Sequence, residues 1–327
     1  MLVLGAVPRL ARTPRILDSV ACGVGVLLLA NSRPYEGLIY AVLLGLWLLF
    51  RLSLLAKRFE WQQLAKAAIP VLLVLGAGGT CMLWYFKQTT GHATLMPYML
   101  NSQQYEPTRP FLWNKPEPMP TYNHVVMRTY YERQAVYFEQ AHHLRTWLEE
   151  TFRKTTSILM FYFWPGAFLS LFMLRRTVRS LEGRIALASI IAVWCAVTVE
   201  IWPMTLHYAS PMMGAAVLLL VCSIRESRRV RLWGLPVGIQ LSRVVPALCL
   251  LSLLFRIGAQ AADARVPQYG IVPFFTVAPG NLERQHVIDQ LNAVPGKQSV
   301  IVRYGRDHGI SREWVYNSAQ IDKAKVV

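Results

Sequence analysis

Two short stretches of this sequence carry the side chains best suited to chemistry. Residues 31–37 read Asn-Ser-Arg-Pro-Tyr-Glu-Gly, so that a cation and an anion, Arg33 and Glu36, bracket Pro34 and Tyr35. Residues 200–211 read Glu-Ile-Trp-Pro-Met-Thr-Leu-His-Tyr-Ala-Ser-Pro, so that a carboxylate closes an apolar run and His207 and Tyr208 follow a proline-broken segment. Both stretches lie between runs apolar enough to enter a bilayer. Charge there is costly unless it sits at the water interface or in a polar cavity. Each stretch therefore reads as a polar site at a membrane edge. Each also has a plainer reading, with Arg33 and Glu36 pairing or anchoring at the headgroups and Trp202 and Tyr208 serving as interfacial belt residues.

The elements that must position these side chains are read from hydropathy. The chain is 54% hydrophobic and only 16% charged, with a mean hydropathy of +0.32, more apolar surface than one soluble core needs. Apolar runs at residues 16–30, 38–55, 67–86, 157–174, 185–201, 210–224 and 244–257 give about seven spans. The third contains Gly76, Gly78 and Gly79, small residues of the kind that let helices approach closely in lipid. A formal charge of +16 raises nucleic acid as a partner, but the basic residues cluster at the ends of apolar spans and not along one soluble face. Nucleic acid is therefore excluded in favour of the lipid bilayer. The five cysteines sit in apolar runs without metal-ligand spacing, and no metal site is expected.

Basic clusters also set the orientation. Arg9, Arg12 and Arg15, then Lys57 and Arg58, then Arg175 to Arg184, then Arg225 to Arg231 mark the cytoplasmic connections, which puts the N-terminus inside and the C-terminus outside. The organisation expected is three spans with the 31–37 turn in residues 1–86, an extracytoplasmic loop with an amphipathic helix in 87–154, four spans in 155–258, and an extracytoplasmic α/β tail in 259–327. The outer pieces hold all seven histidines and the side chains placed to contact a substrate, His92, Tyr98, Trp113, His142 and Tyr208. In the long loop, prolines and aromatics are too frequent for a flexible linker, and past Tyr122 apolar side chains recur at helical spacing. The tail reads as a helix over 282–294, a Pro295-Gly296 turn and a β run over 299–304, with a further strand starting near Trp314. It carries no glycine-rich phosphate loop, and the chain has no HExxH or GxSxG.

The 30–37 stretch, Thr90-Gly91 with Leu95 to Tyr98, Phe111-Leu112-Trp113, His207 to Pro211, and the closing Glu313-Trp314-Val315-Tyr316-Asn317 together resemble a bacterial group of GT-C glycosyltransferases similar to the protein O-mannosyltransferases. The likeness covers most of the chain. It implies a multi-pass protein of the bacterial inner membrane that takes a sugar from a polyprenyl-phosphate donor on the outer face, with no cofactor and no feature calling for a divalent cation. Arg33, with Tyr35 and Glu36, would then hold the donor phosphate through charge-assisted bidentate bonds, and Glu200 or His207 would take the proton of an acceptor hydroxyl. Enzymes of this superfamily place a catalytic carboxylate in the first outer loop, whereas the first outer connection here is only the 31–37 turn. The chain is thus expected to match the C-terminal part of such an enzyme, the N-terminal portion being a missing or separate partner. Two other classes stay open: a transporter whose pathway is lined by Arg33, Glu36 and Glu200, and a non-catalytic membrane subunit.

Overall fold

A computed structural model describes residues 1–54, 61–202, 206–262, 283–305, 314–315, 317 and 320–327. Lys57 and Arg58, residues 203–205, residues 263–282, and Glu313 and Tyr316 lie outside the described residues. The chain divides into two compact units, one made of Met1–Tyr122 and Tyr131–Leu251, the other of Asn123–Tyr130 and Ser252–Val327.

The described elements are helical. In order they are α1 Leu2–Leu10, α2 Ile16–Ser32, α3 Pro34–Leu54, α4 Trp61–Thr90, α5 Pro97–Tyr105, α6 Val125–Ala141, α7 Leu144–Phe163, α8 Ala167–Thr177, α9 Leu181–Thr198, α10 Met213–Ser227, α11 Val237–Ala261 and α12 Glu283–Ala293. Among the described residues five helical stretches are long and apolar enough to cross a membrane: Pro34–Leu54, Gln62–Thr90, Leu181–Thr198, Leu206–Ser227 and Val237–Ala259. A sixth arises if α7 and α8, which meet at 90°, are counted as one broken span. The remaining apolar run, at residues 16–30, lies in the 17-residue α2.

The core of the first unit gathers around α1, which the apolar-run reading left out. Val3, Leu4, Ala6, Val7 and Leu10 recur at helical spacing and are among the most deeply buried side chains, packed with Tyr40 and Leu44 of α3, Ala186 and Val193 of α9, and Ala215 and Ala216 of α10. At nine residues α1 is too short to register as a span, and it packs mainly on α2 and α3, the two long helices that follow it. The glycines of α4 divide in use. A Cβ on Gly78 would meet Leu27 of α2 at 2.3 Å, so a close helix approach does form there, whereas Gly76 and Gly79 face open space.

In the second unit α12 and the Pro295-Gly296 turn form as the sequence suggests, Gly296 taking φ +85°. No strand forms among the described residues. Instead residues 298–300 pair with the chain end through Gln298 N–H to Lys325 C=O at 2.7 Å and Val300 N–H to Val327 C=O at 2.7 Å, leaving a single parallel bridge between Gln298 and Val326. Arg284 on α12 donates to the Trp314 carbonyl at 2.7 Å.

Candidate functional site

The seven-residue turn expected at 31–37 is a break of one residue. α2 runs through Ser32 and α3 starts at Pro34, so Arg33 alone is non-helical, at φ −145° and ψ 77°. Its N–H donates to Leu29 C=O at 2.8 Å and its C=O accepts from Gly37 N–H at 2.8 Å, closing one helix and opening the next. Pro34 suits this place because the first helical position needs no N–H, and its φ is already helical. The tight junction leaves the Arg33 side chain projecting from a rigid corner. Its guanidinium lies over the Tyr208 ring, 4.2 Å from the centroid.

The same corner sets Glu36 in the first turn of α3, where the helix N-terminus favours a carboxylate. Glu36 is only 4% exposed and Glu200 only 8%. Glu200 arrives from the other side, on the short extended segment after α9. That segment pairs antiparallel with the long loop: Phe111 bridges Glu200, Leu112 N–H donates to Val199 C=O at 3.1 Å, and Ile201 N–H donates to Pro110 C=O at 2.8 Å. The pairing presents Phe111 to the corner. Tyr35 meets it edge-on at 4.6 Å, and Trp113 stacks on its other side at 4.8 Å.

Two residues that the sequence reading did not single out complete the group. Lys154 of α7, 3% exposed, donates through Nζ to the carbonyls of Val197 at 2.9 Å and Glu200 at 2.6 Å. Tyr162, two turns further along α7, donates to the Leu206 carbonyl at 2.7 Å, next to His207. The signal for Lys154 was present, since a cation inside an apolar helix demands a partner. Its place near the start of the run let it pass for a boundary charge.

Burial pushes the Glu200 carboxyl up to about 8; the charge of Glu36 adds to this, and Lys154 and Arg33 pull it back. Arg33, Glu36, Lys154 and Glu200 therefore act on one another as a single electrostatic group. Tyr98 of α5 stands at its margin: its hydroxyl is raised by burial and by the charge of Glu36. His207 packs against Tyr208 at 4.7 Å.

Two expected contacts lie elsewhere. His142 sits where α6 ends, its Nδ1 facing the Phe138 carbonyl at 2.7 Å and its Nε2 facing the Leu112 carbonyl at 2.8 Å. The ring thus lies between α6 and the long loop, its N–H donating to one carbonyl or the other according to the tautomer. His92 follows α4 on a turn held by Thr90, whose hydroxyl accepts the His92 N–H at 3.2 Å and has its one hydrogen within reach of the carbonyls of Phe86 at 2.8 Å, His92 at 2.9 Å and Leu95 at 3.0 Å. Its ring is exposed. No three of His, Cys, Asp and Glu converge among the described residues. The chain matches no family model, no curated protein and no solved structure.

Proposed function

We propose that this is a multi-pass protein of the bacterial inner membrane, N-terminus cytoplasmic and C-terminus extracytoplasmic, which acts as a GT-C-type glycosyltransferase or its C-terminal part. The donor is a polyprenyl-phosphate sugar and the acceptor carries a hydroxyl. The observation that carries this reading is an arginine, Arg33, held over the Tyr208 ring, whose charge acts on a buried carboxyl, Glu200, with a proton affinity raised to about 8, at the end of apolar helices where a lipid-linked donor would present its sugar.

In this mechanism the ionised form of Glu200, whose share grows as pH rises toward 8, accepts the proton of the acceptor hydroxyl as the hydroxyl oxygen bonds to the anomeric carbon. The bond from that carbon to the phosphate oxygen breaks, and the negative charge passes to the polyprenyl phosphate, where the Arg33 fork stabilises it. An affinity for protons midway through the working range suits a group that must take one and later release it. Glu36, in the first turn of α3, feels the charge of Arg33 and would help to orient it. Tyr35, Phe111 and Trp113 form an aromatic wall against which a sugar ring can pack.

The test is binding of polyprenyl-phosphate mannose to the full chain in nanodiscs. Arg33→Ala is expected to weaken binding about tenfold to a hundredfold, the value of one or two charge-assisted contacts, and Arg33→Lys to weaken it less, because a lysine keeps the charge but not the planar fork. Equal donor binding by well-folded Arg33→Ala would remove the phosphate role. Orientation is checked separately by labelling introduced cysteines near positions 120 and 300. Both should react from the extracytoplasmic side, and cytoplasmic labelling of either reverses the site assignment.

A further inference from the structure

The charges at the opposite ends of these helices form a site of their own. Arg176 in the last turn of α8, Arg179 just after it, Ser180 before α9, and Arg225, Glu226 and Arg229 around the end of α10 line a cavity of about 620 Å³. That is ample for a small ligand or a headgroup. Its only acid is already spoken for: Glu226 pairs with Arg229 at 2.9 Å and lies 3.8 Å from Arg225. Among the described residues Arg176 and Arg179 have no acidic partner, so the cavity keeps a surplus of positive charge. The wall is closely packed: a Cβ on Gly183 of α9 would overlap the Thr177 carbonyl that ends α8, and Thr177 and Ser223 share a hydrogen bond at 3.2 Å between α8 and α10. All four cations are arginines, the side chain whose planar fork matches phosphate oxygens in pairs.

The approach to the cavity says what kind of phosphate it suits. On α8, Phe168 and Phe172 stand two turns and one turn before Arg176 on the same face and are 71% and 73% exposed. On α10, Val217 and Val221 precede Arg225 at the same spacing and are exposed as well. Two exposed apolar stripes thus lead into one arginine-lined pocket.

We propose that this pocket binds the phosphate of an anionic phospholipid, whose acyl chains lie along Phe168 and Phe172 and along Val217 and Val221. The chemistry it recognises is a phosphate oxygen set, which a free phosphate shares; the exposed apolar stripes favour the lipid. The site shares no residue with the Arg33 group. It rests on the membrane placement of the helices and not on the transferase chemistry.

The full chain is reconstituted in nanodiscs of phosphatidylcholine with a minority of phosphatidylglycerol, extracted into detergent, and its retained lipid identified by native mass spectrometry. The wild type should retain phosphatidylglycerol over phosphatidylcholine by about tenfold. A triple Arg→Lys variant at 176, 179 and 225 keeps the charge that directs insertion but loses the fork, and should lose most of that preference; the triple Arg→Gln variant should lose all of it. Equal retention of both lipids by the wild type, or an undiminished preference in both variants, overturns the proposal. In a second arm, inorganic phosphate is added to delipidated protein, and only phosphatidylglycerol should raise the melting temperature. Phosphate alone matching the lipid would make the ligand a soluble anion and overturn the lipid assignment. A chain that enters no bilayer at all refutes the membrane placement, which is distinguishable from failure of the pocket.

Discussion

At the Arg33 end of the first unit, two carboxylates and a lysine sit among aromatic rings with less than a tenth of Glu36, Lys154 or Glu200 exposed. At the other end four arginines line an open cavity against one glutamate. The first arrangement mixes signs and excludes water, so each charge is held by specific partners and its removal leaves others stranded. The second keeps one sign in contact with water, where each charge is hydrated and its neighbours compensate for its loss. Clusters of charge at the two ends thus carry unequal energetic weight. The buried end should be fragile and pH-sensitive, the open end tolerant and salt-sensitive.

The largest effect should come from Lys154. Lys154→Met fills the same space with an apolar chain but leaves the Val197 and Glu200 carbonyls without their donor and Glu200 without its nearby cation. Breaking a buried partnership of this kind costs about 3–5 kcal/mol. Thermal unfolding in nanodiscs and the yield of monodisperse protein measure it. A variant as stable as the wild type would mean that water satisfies those carbonyls and that the two ends do not differ as described.

This residue also marks where the sequence stops being informative. Arg33, Glu36, Glu200 and Tyr208 could be singled out because polar side chains stand out against apolar runs, and the model brings all four together. Lys154 depends on a partner 46 residues away, and α1 joins a core that it shares with α3, α9 and α10, and no local pattern contains those. The helical content followed from the same apolar runs. The pairing of residues 110–112 with 199–201 did not, because it joins two loops whose own composition signals only turns. Likewise the run at 299–304 has the residues of a strand, yet beyond the single bridge at Gln298 it finds no ladder partner among the described residues.

The second effect is on pH. Glu200 holds its proton up to about 8, against 4.5 for a free glutamate, so between those values the folded chain binds a proton that the unfolded chain has released. Unfolding then releases that proton, and stability declines as pH rises through the window. At about 1.4 kcal/mol per pH unit the ceiling is roughly 5 kcal/mol; interaction with Glu36 and relaxation around the charge bring the expected decline to about 2 kcal/mol. Glu200→Gln keeps a neutral side chain at every pH and should flatten the curve of melting temperature against pH. A slope unchanged by Glu200→Gln would place the titrating group elsewhere.

A smaller effect belongs to His142, at the margin of the buried end. Its ring spans the Phe138 and Leu112 carbonyls, so His142→Ala frees the long loop from α6 at a cost of about 1 kcal/mol. If the ring is a tether, donor binding should fall only as far as the loop segment carrying Phe111 and Trp113 loosens, seen as faster hydrogen exchange at the Leu112 amide. Weaker binding with unchanged exchange would give the ring a direct contact with the donor.

The smallest effect should come from the open end. Arg229 pairs with Glu226, but its side chain is 72% exposed and Arg225 stands on the other side of the same carboxylate. Arg229→Gln therefore leaves Glu226 with a cation nearby and an exposed amide in place of a hydrated guanidinium. The change in stability should stay below about 1 kcal/mol. Raising the salt concentration should shrink even that difference, because the pair reaches water and ions screen it within about 10 Å at 0.1 M. At the buried end the same salt should leave the Lys154→Met difference intact, since ions cannot enter between Lys154 and its carbonyls. A comparison of both variants at low and high salt thus separates the two ends in one experiment. If the Arg229 difference were large and salt-independent, the arginine cavity would be a closed ion-pair network, and the contrast between the two ends would reduce to one of sign alone.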